Sequence, residues 1–412
     1  MTNYRYRALR GGVISLLAIA ASVLALSLNG AAAPAEVRAL WVVRTTLSSP
    51  SAIETMVETA RASGFNTLIV QVRGRADSYF AGGLEPRPAS LTGQPAFDPL
   101  AAVITQAHAA GLQVHAWVNL NLVAGVGELP NARDHIVYRR PEWLMVPRAL
   151  AADLAAVDPK SPQYLGRLAR YVRSRPNELE GVYVSPITPA AREYTAGVVR
   201  DIAQRYDIDG VHLDYARYPS EDFDYSRDTL ALFRQDVIGD LTPADRQKYD
   251  QRLGEEPLIY TLAFPERWRR FRTAALTALI EEVQSAVKRA RPGARLSAAV
   301  LPDAGDASTR HLQDWQAWAA RDLIDIFCPM VYTTDHATFV SQVAAARVAA
   351  GTHPLWAGIG AYRLSSSQIV ANVQAARRLG VDGTILFSYD SLTGPTRGPE
   401  YLSQVGRAAF LQ

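Results

Sequence analysis

Short runs of β-branched and aromatic residues alternate along the chain with longer Ala-rich stretches whose apolar positions recur every three or four residues. The short runs read as strands buried on both faces, the longer stretches as amphipathic helices. The pattern predicts eight strands, at 37–43 (VRALWVV), 67–73 (TLIVQVR), 113–119 (QVHAWVN), 210–215 (GVHLDY), 295–301 (RLSAAVL), 324–332 (IDIFCPMVY), 355–360 (LWAGIG) and 383–389 (GTILFSY). Helices are predicted between them, among others at 51–63, 99–110, 267–290 and 367–379. Gly64, Gly111 and Gly380 stand where a helix end turns into the next strand, and Pro50 and Pro99 suit a first helical turn.

Eight strand–helix repeats predict an α/β fold, a (β/α)8 TIM barrel over 36–412. An open, doubly wound sheet has the same alternation, but no Gly-rich phosphate loop follows the first strand. Two long insertions, 120–192 and 219–266, interrupt the repeat after strands three and four. A barrel carries both on its C-terminal face, where catalytic loops gather.

Composition narrows the class. With 48% hydrophobic and 20% charged residues among 412, the chain is neither disordered, collagen-like nor disulfide-stapled. Residues 1–33 hold Arg5, Arg7 and Arg10 with no acid, then an apolar run at 13–28 and small residues at 30–33. This is the layout of a cleaved secretory signal rather than a membrane anchor, and it predicts a periplasmic or extracellular protein. The formal charge of +3 belongs to that leader, so the body is neutral, which argues against nucleic acid as a partner. The one cysteine, Cys328, has no partner for an internal disulfide and lies in an apolar strand, so it reads as a core thiol.

The sharpest chemical signal is the run from Asp209 to Pro219, DGVHLDYARYP. With a period of two, His212 and Asp214 share a strand face, and Asp214 stands at the strand's C-terminal end with Arg217 close behind. A carboxylate in a barrel mouth is costly unless it is used or paired. Other strand ends add polar and aromatic groups: Arg73, Asp77, Tyr79 and Glu85 after strand two, Trp117 and Asn119 on strand three, Tyr215 after strand four. Strand five leads to Asp303, strand six to Tyr332 and Asp335, strand seven to Tyr362, and strand eight to Tyr389 and Asp390. Two carboxyl groups flanking a bond, with aromatic platforms beside them, are what glycosidic hydrolysis requires. Asp214 is expected as nucleophile or base and Asp303 as general acid, with Glu85 among the alternatives. No metal motif, nucleophile elbow or cofactor loop is present.

These segments together resemble the glycosyl-hydrolase-like family ten, bacterial exported barrels related to amylase-type glycosidases. The resemblance rests on RALWV (38–42), NTLIVQVRGRADSYF (66–80), FDPLAAVITQAHAAGLQVHAWVN (97–119), DIDGVHLDYARYP (207–219), DIFCPMVYTTD (325–335), GIGAYR (358–363) and LFSYDSL (386–392). It implies a barrel glycosidase without cofactor, acting on a cell-envelope or extracellular polysaccharide. Some relatives are linked to peptidoglycan glycan strands stripped of peptides. Asp214 matches the family's fourth-strand Asp, while His212 stands where amylases carry Arg. Many relatives have two acids in a row there; here Tyr215 follows Asp214. Two rival readings are a non-catalytic glycan-binding barrel and a metal-dependent glycan deacetylase using His115, His212 and Asp214.

Overall fold

The structure, a computed structural model, describes residues 36–127, 129–398 and 400–411. The expected signal segment at 1–33 lies outside the described residues. Eight parallel strands close into a barrel: β1 (Val37–Val42), β2 (Thr67–Arg73), β3 (Gln113–Asn119), β6 (Gly210–Asp214), β7 (Arg295–Val300), β8 (Ile326–Val331), β9 (Trp356–Ile359) and β10 (Gly383–Phe387). Each predicted strand run is found, trimmed by up to two residues at either end where it passes into a loop. The remaining strands, β4 (Leu122–Gly125) and β5 (Gly181–Tyr183), form an antiparallel hairpin within the first insertion. Gly181 is required there: a Cβ at this position would lie 1.8 Å from the Ala124 carbonyl oxygen.

Helices pack outside the barrel, and their starts follow the sequence. Ser49 caps the Pro50–Ala62 helix, Asp98 caps Pro99–Ala109, and Ser365 with Gln368 forms a reciprocal capping box on Ser366–Arg378. Outward strand residues such as Leu40, Val70, Val114 and Leu213 join the helices in one large core.

The barrel axis holds a second, smaller core of Trp41, Ile69, Trp117, Cys328, Trp356 and Ile385. Cys328 is a fully buried thiol, as its apolar strand predicts, and burial raises its pKa. Two buried histidines share this interior. His212 accepts from Trp41 Nε1 at 3.1 Å through Nε2, so its proton sits on Nδ1 and is donated to Ser297 Oγ at 2.9 Å. Burial, with His115 nearby, pushes the His212 pKa down to about 3; burial also pushes His115 down to about 4. Both rings are neutral structural parts of the barrel floor. His212 was expected at the substrate; it instead ties β1 to β7 beneath it.

Candidate active site

Above that floor, at the C-terminal end of the strands, a cavity of about 410 Å³ opens. Trp41, Trp117, Tyr332 and Phe387 give it aromatic walls, and Ala299, Leu301 and Met330 add to its apolar lining. Its charged lining is Asp214, Arg44, Arg75 and Arg217. A cleft of this size with few polar groups against aromatic walls suits a small ligand or part of a chain.

Asp214 ends β6 and is buried, at 7% exposure. Oδ2 accepts from Trp117 Nε1 at 3.2 Å, and Oδ1 accepts from the Tyr215 backbone N–H at 2.7 Å. The Trp117 N–H is shared with Asn119 Oδ1 at 2.9 Å, and Asn119 donates to the Gly74 carbonyl at 2.8 Å. Burial raises the Asp214 pKa; the Arg217 charge and the two donated hydrogen bonds oppose that rise without cancelling it. Tyr215 adopts φ of +49°, a left-handed turn that ends the strand at the carboxylate. The Arg217 guanidinium lies 4.5 Å from the Tyr215 ring centre.

Arg217 also pairs with Glu180 at 3.1 Å, and Glu180 accepts from the Tyr183 hydroxyl at 2.7 Å. Glu180 immediately precedes β5, so the inserted hairpin delivers it to the mouth. Burial would raise its pKa, but Arg217 and the Tyr183 hydrogen bond outweigh that and hold it below its ordinary value. The Glu180 charge in turn contributes to the rise at Asp214. Sequence reasoning passed over Glu180, since nothing in a loop's composition tells where an insertion folds back.

The other expected acids have different occupations. Asp303, the expected proton donor, is exposed and caps the Ala304–Arg310 helix by accepting from the Asp306 N–H at 2.8 Å. Asp335 likewise caps His336–Ala350, accepting from Thr338 N–H at 2.7 Å. Glu85 is sealed against Arg73 in a two-pronged ion pair at 2.6 and 2.7 Å, with both side chains 1% exposed. Arg73 also donates to the Asn119 and Leu120 carbonyls, so it is committed below the mouth. A bulge causes this. Gln71 pairs with Trp117 but Arg73 with Val118, so Val72 is an extra residue and Arg73 swings off the inward face. Asp390 accepts from the Val43 N–H at 2.8 Å and from Thr46, holding the loop after β1.

Asp77 accepts from the N–H groups of Gly74 and Arg75, at 3.0 and 2.8 Å, and so shapes the loop after β2. Tyr79 and Tyr389 pack in the outer core. Tyr362, 40% exposed, stands edge-on to Tyr332 with ring centres 6.3 Å apart. Of the expected site residues, Asp214, Trp117, Tyr215, Arg217 and Tyr332 meet around one cavity, with Asn119 directly behind. Among the described residues no group of three His, Cys, Asp or Glu side chains is arranged to hold a metal ion. His212 has both ring nitrogens engaged, which removes the ligand set drawn from His115, His212 and Asp214.

A family profile described as Glycosyl hydrolase-like 10 matches residues 36–372. A Bacillus subtilis (strain 168) protein named glycosyl hydrolase YngK is 24% identical over 298 residues, covering 67% of this chain and 48% of the relative. Glycosyl hydrolase DigH of Escherichia coli (strain K12) is 22% identical over 289 residues, covering 65% of this chain and 55% of the relative. The chain thus spans about half the length of these curated relatives. Among solved structures, the PgaB (BpsB) glycoside hydrolase domain from Bordetella bronchiseptica superposes with a TM-score of 0.61 at 14% identity, over 92% of this chain and all of that one. The catalytic domain of β-amylase from Paenibacillus polymyxa gives a TM-score of 0.55 at 12% identity, over 92% and 99%. These structural likenesses establish the barrel fold.

Proposed function

The chain belongs to the glycosyl hydrolase-like 10 family, and on that premise we propose that it is an exported glycoside hydrolase. Its substrate in this reading is a cell-envelope or extracellular polysaccharide, peptidoglycan glycan strands included. The observation that carries the proposal is Asp214: a buried carboxylate at a barrel strand's C-terminal tip, facing a cavity walled by four aromatic rings. The rings give the cavity apolar walls that suit sugar C–H groups, and the carboxylate handles the proton.

Two acids with oppositely shifted pKa values divide the work of glycosidic cleavage. Burial raises the Asp214 pKa above that of an exposed aspartate, the direction that suits the group protonating the leaving glycosidic oxygen. Glu180, held ionised on Arg217, is the second carboxylate and activates water or stabilises the cationic sugar. The sequence expectation gave Asp214 the nucleophile or base and Asp303 the acid; the direction of the Asp214 shift and the capping role of Asp303 favour the exchanged assignment.

The test is release of reducing ends from purified glycans by wild type, Asp214→Asn and Glu180→Gln. Positioned acid–base groups contribute roughly 10²- to 10⁴-fold. Asp214→Asn is therefore expected to lose about 10³-fold in kcat while keeping its melting temperature, and Glu180→Gln about 10²-fold. Equal turnover by wild type and Asp214→Asn refutes the role given to Asp214; no release by wild type leaves a glycan-binding barrel. Full activity in Glu180→Gln removes Glu180 from the chemistry.

A further inference from the structure

Trp117 and Asn119 stand two residues apart on β3, so their side chains share the inward face of the barrel. The register of β3 against β6 sets Trp117 beside His212 and Asn119 beside Asp214. One donor, the Trp117 indole N–H, therefore lies between two acceptors. It reaches Asn119 Oδ1 at 2.9 Å and Asp214 Oδ2 at 3.2 Å. That order reverses what charge dictates. An ionised carboxylate draws an N–H closer than a neutral amide oxygen does and binds it about twice as strongly. Here the amide holds the shorter branch and the carboxylate the longer one.

The neutral acceptor is fixed where it stands. Asn119 is fully buried, its Nδ2 donates to the Gly74 carbonyl at 2.8 Å, and Gln71 Nε2 approaches the same Oδ1 at 3.5 Å. Gln71 is itself held by Arg44, which donates to its Oε1 at 2.7 Å, and the Gly74 N–H donates to Asp77 Oδ1 at 3.0 Å. The indole is fixed too: its ring stands edge-on to His212 and to Phe387, with ring centres 6.4 Å apart in each case.

The charged and titratable groups around Asp214 belong to other positions. Arg217 and Tyr215 follow β6, Glu180 with Tyr183 comes from the β4–β5 hairpin, and Tyr332 follows β8. Arg44 and Arg75 line the cavity from the loops after β1 and β2, and His212 beneath is neutral. Burial and Glu180 favour the protonated form of Asp214, Arg217 the ionised one. Asn119 carries no charge, so it acts on Asp214 only through the hydrogen bond it diverts. Substituting it leaves each of these charges in place.

We propose that Asn119 is a positioning residue: it diverts the Trp117 N–H from Asp214 and so keeps that carboxyl group in the proton-bearing form that protonation of a leaving group needs. This rests on the glycosidase reading and deepens it by one residue. Removing the acceptor frees the whole N–H for the carboxylate, whereas removing the donor takes away what share the carboxylate had. The two changes push the Asp214 proton in opposite directions.

The test compares wild type, Asn119→Leu and Trp117→Phe. NMR of protein isotope-labelled at the aspartate carboxyl carbons, with the Asp214 signal assigned by its loss in Asp214→Asn, gives the Asp214 titration midpoint without any substrate. The midpoint is expected to fall by about one pH unit in Asn119→Leu and to rise by about one in Trp117→Phe, the size of part of a hydrogen bond to a charged group. In reducing-end release from purified glycans, the alkaline limb of kcat/KM moves the same way, to lower pH in Asn119→Leu and to higher pH in Trp117→Phe. Loosened packing alone lowers kcat and melting temperature without opposed shifts. Circular dichroism and melting temperature establish folding, and Asn119→Val serves where Asn119→Leu does not fold. A midpoint unchanged or raised on removing the Asn119 acceptor overturns the proposal, whether or not glycan is cleaved. Opposed shifts without any cleavage by wild type retain the diversion and remove the hydrolase.

Discussion

Arg73 and Arg75 stand two residues apart at the end of one strand, yet live in opposite electrostatic regimes. Arg73 is sealed beneath the mouth with Glu85 on both prongs and backbone carbonyls on a third nitrogen. Arg75 reaches an open cavity and forms no ion pair among the described residues. Closed charge is architecture: every guanidinium nitrogen is matched, and its removal is expected to be felt as lost stability. Open charge carries no such burden, and its removal is expected to leave the fold standing. The same division separates the neutral, hydrogen-bonded His212 on the floor from Asp214 above it.

The contrast is most directly broken at Glu85. Glu85→Ala leaves the Arg73 charge buried without a partner and is expected to destabilise the fold by about 3–5 kcal/mol, read by denaturant unfolding. A loss under about 1 kcal/mol would place this pair with ordinary surface bridges. Next comes pH. The folded-state pKa of His212 is pushed down to about 3 from an ordinary 6.5, so below pH 6.5 the unfolded chain binds a proton that the native chain refuses. Stability from this site is complete above pH 6.5 and drains away as pH falls. The loss reaches on the order of 3 kcal/mol by pH 4. In His212→Asn the stability curve between pH 6.5 and 4 should be flatter than in wild type; an identical slope would mean that the floor is wet. The smallest effect sharpens the open side. Gly181→Ala forces the β4–β5 hairpin apart and should cost about 1–3 kcal/mol, while lowering turnover through the displaced Glu180. Stability lost with turnover intact would detach Glu180 from the chemistry.

Much of this is legible in the sequence. The barrel followed from eight apolar runs because strands buried on both faces leave no polar alternation to confuse. Asp214 was readable from its parity with His212 and its place at a strand tip. Parity then failed at Arg73, since one extra residue at Val72 reverses which side chain faces inward. Asp303 and Asp335 carried a signal for a different job, an acid just before a helix whose third residue donates an N–H. Arg44, Arg75 and Phe387 could be placed only by loop geometry and strand ends, and Glu180 only by the path of an inserted hairpin.

That extra residue at Val72 gives the scaffold an unusual lever. A ladder that ran on without the bulge would pair Val72 with Val118 and Arg73 with Asn119, turning Arg73 toward the cavity and stranding Glu85 without its mate. Ligand preference in such barrels is therefore adjustable by register at a strand's end, with no catalytic residue replaced.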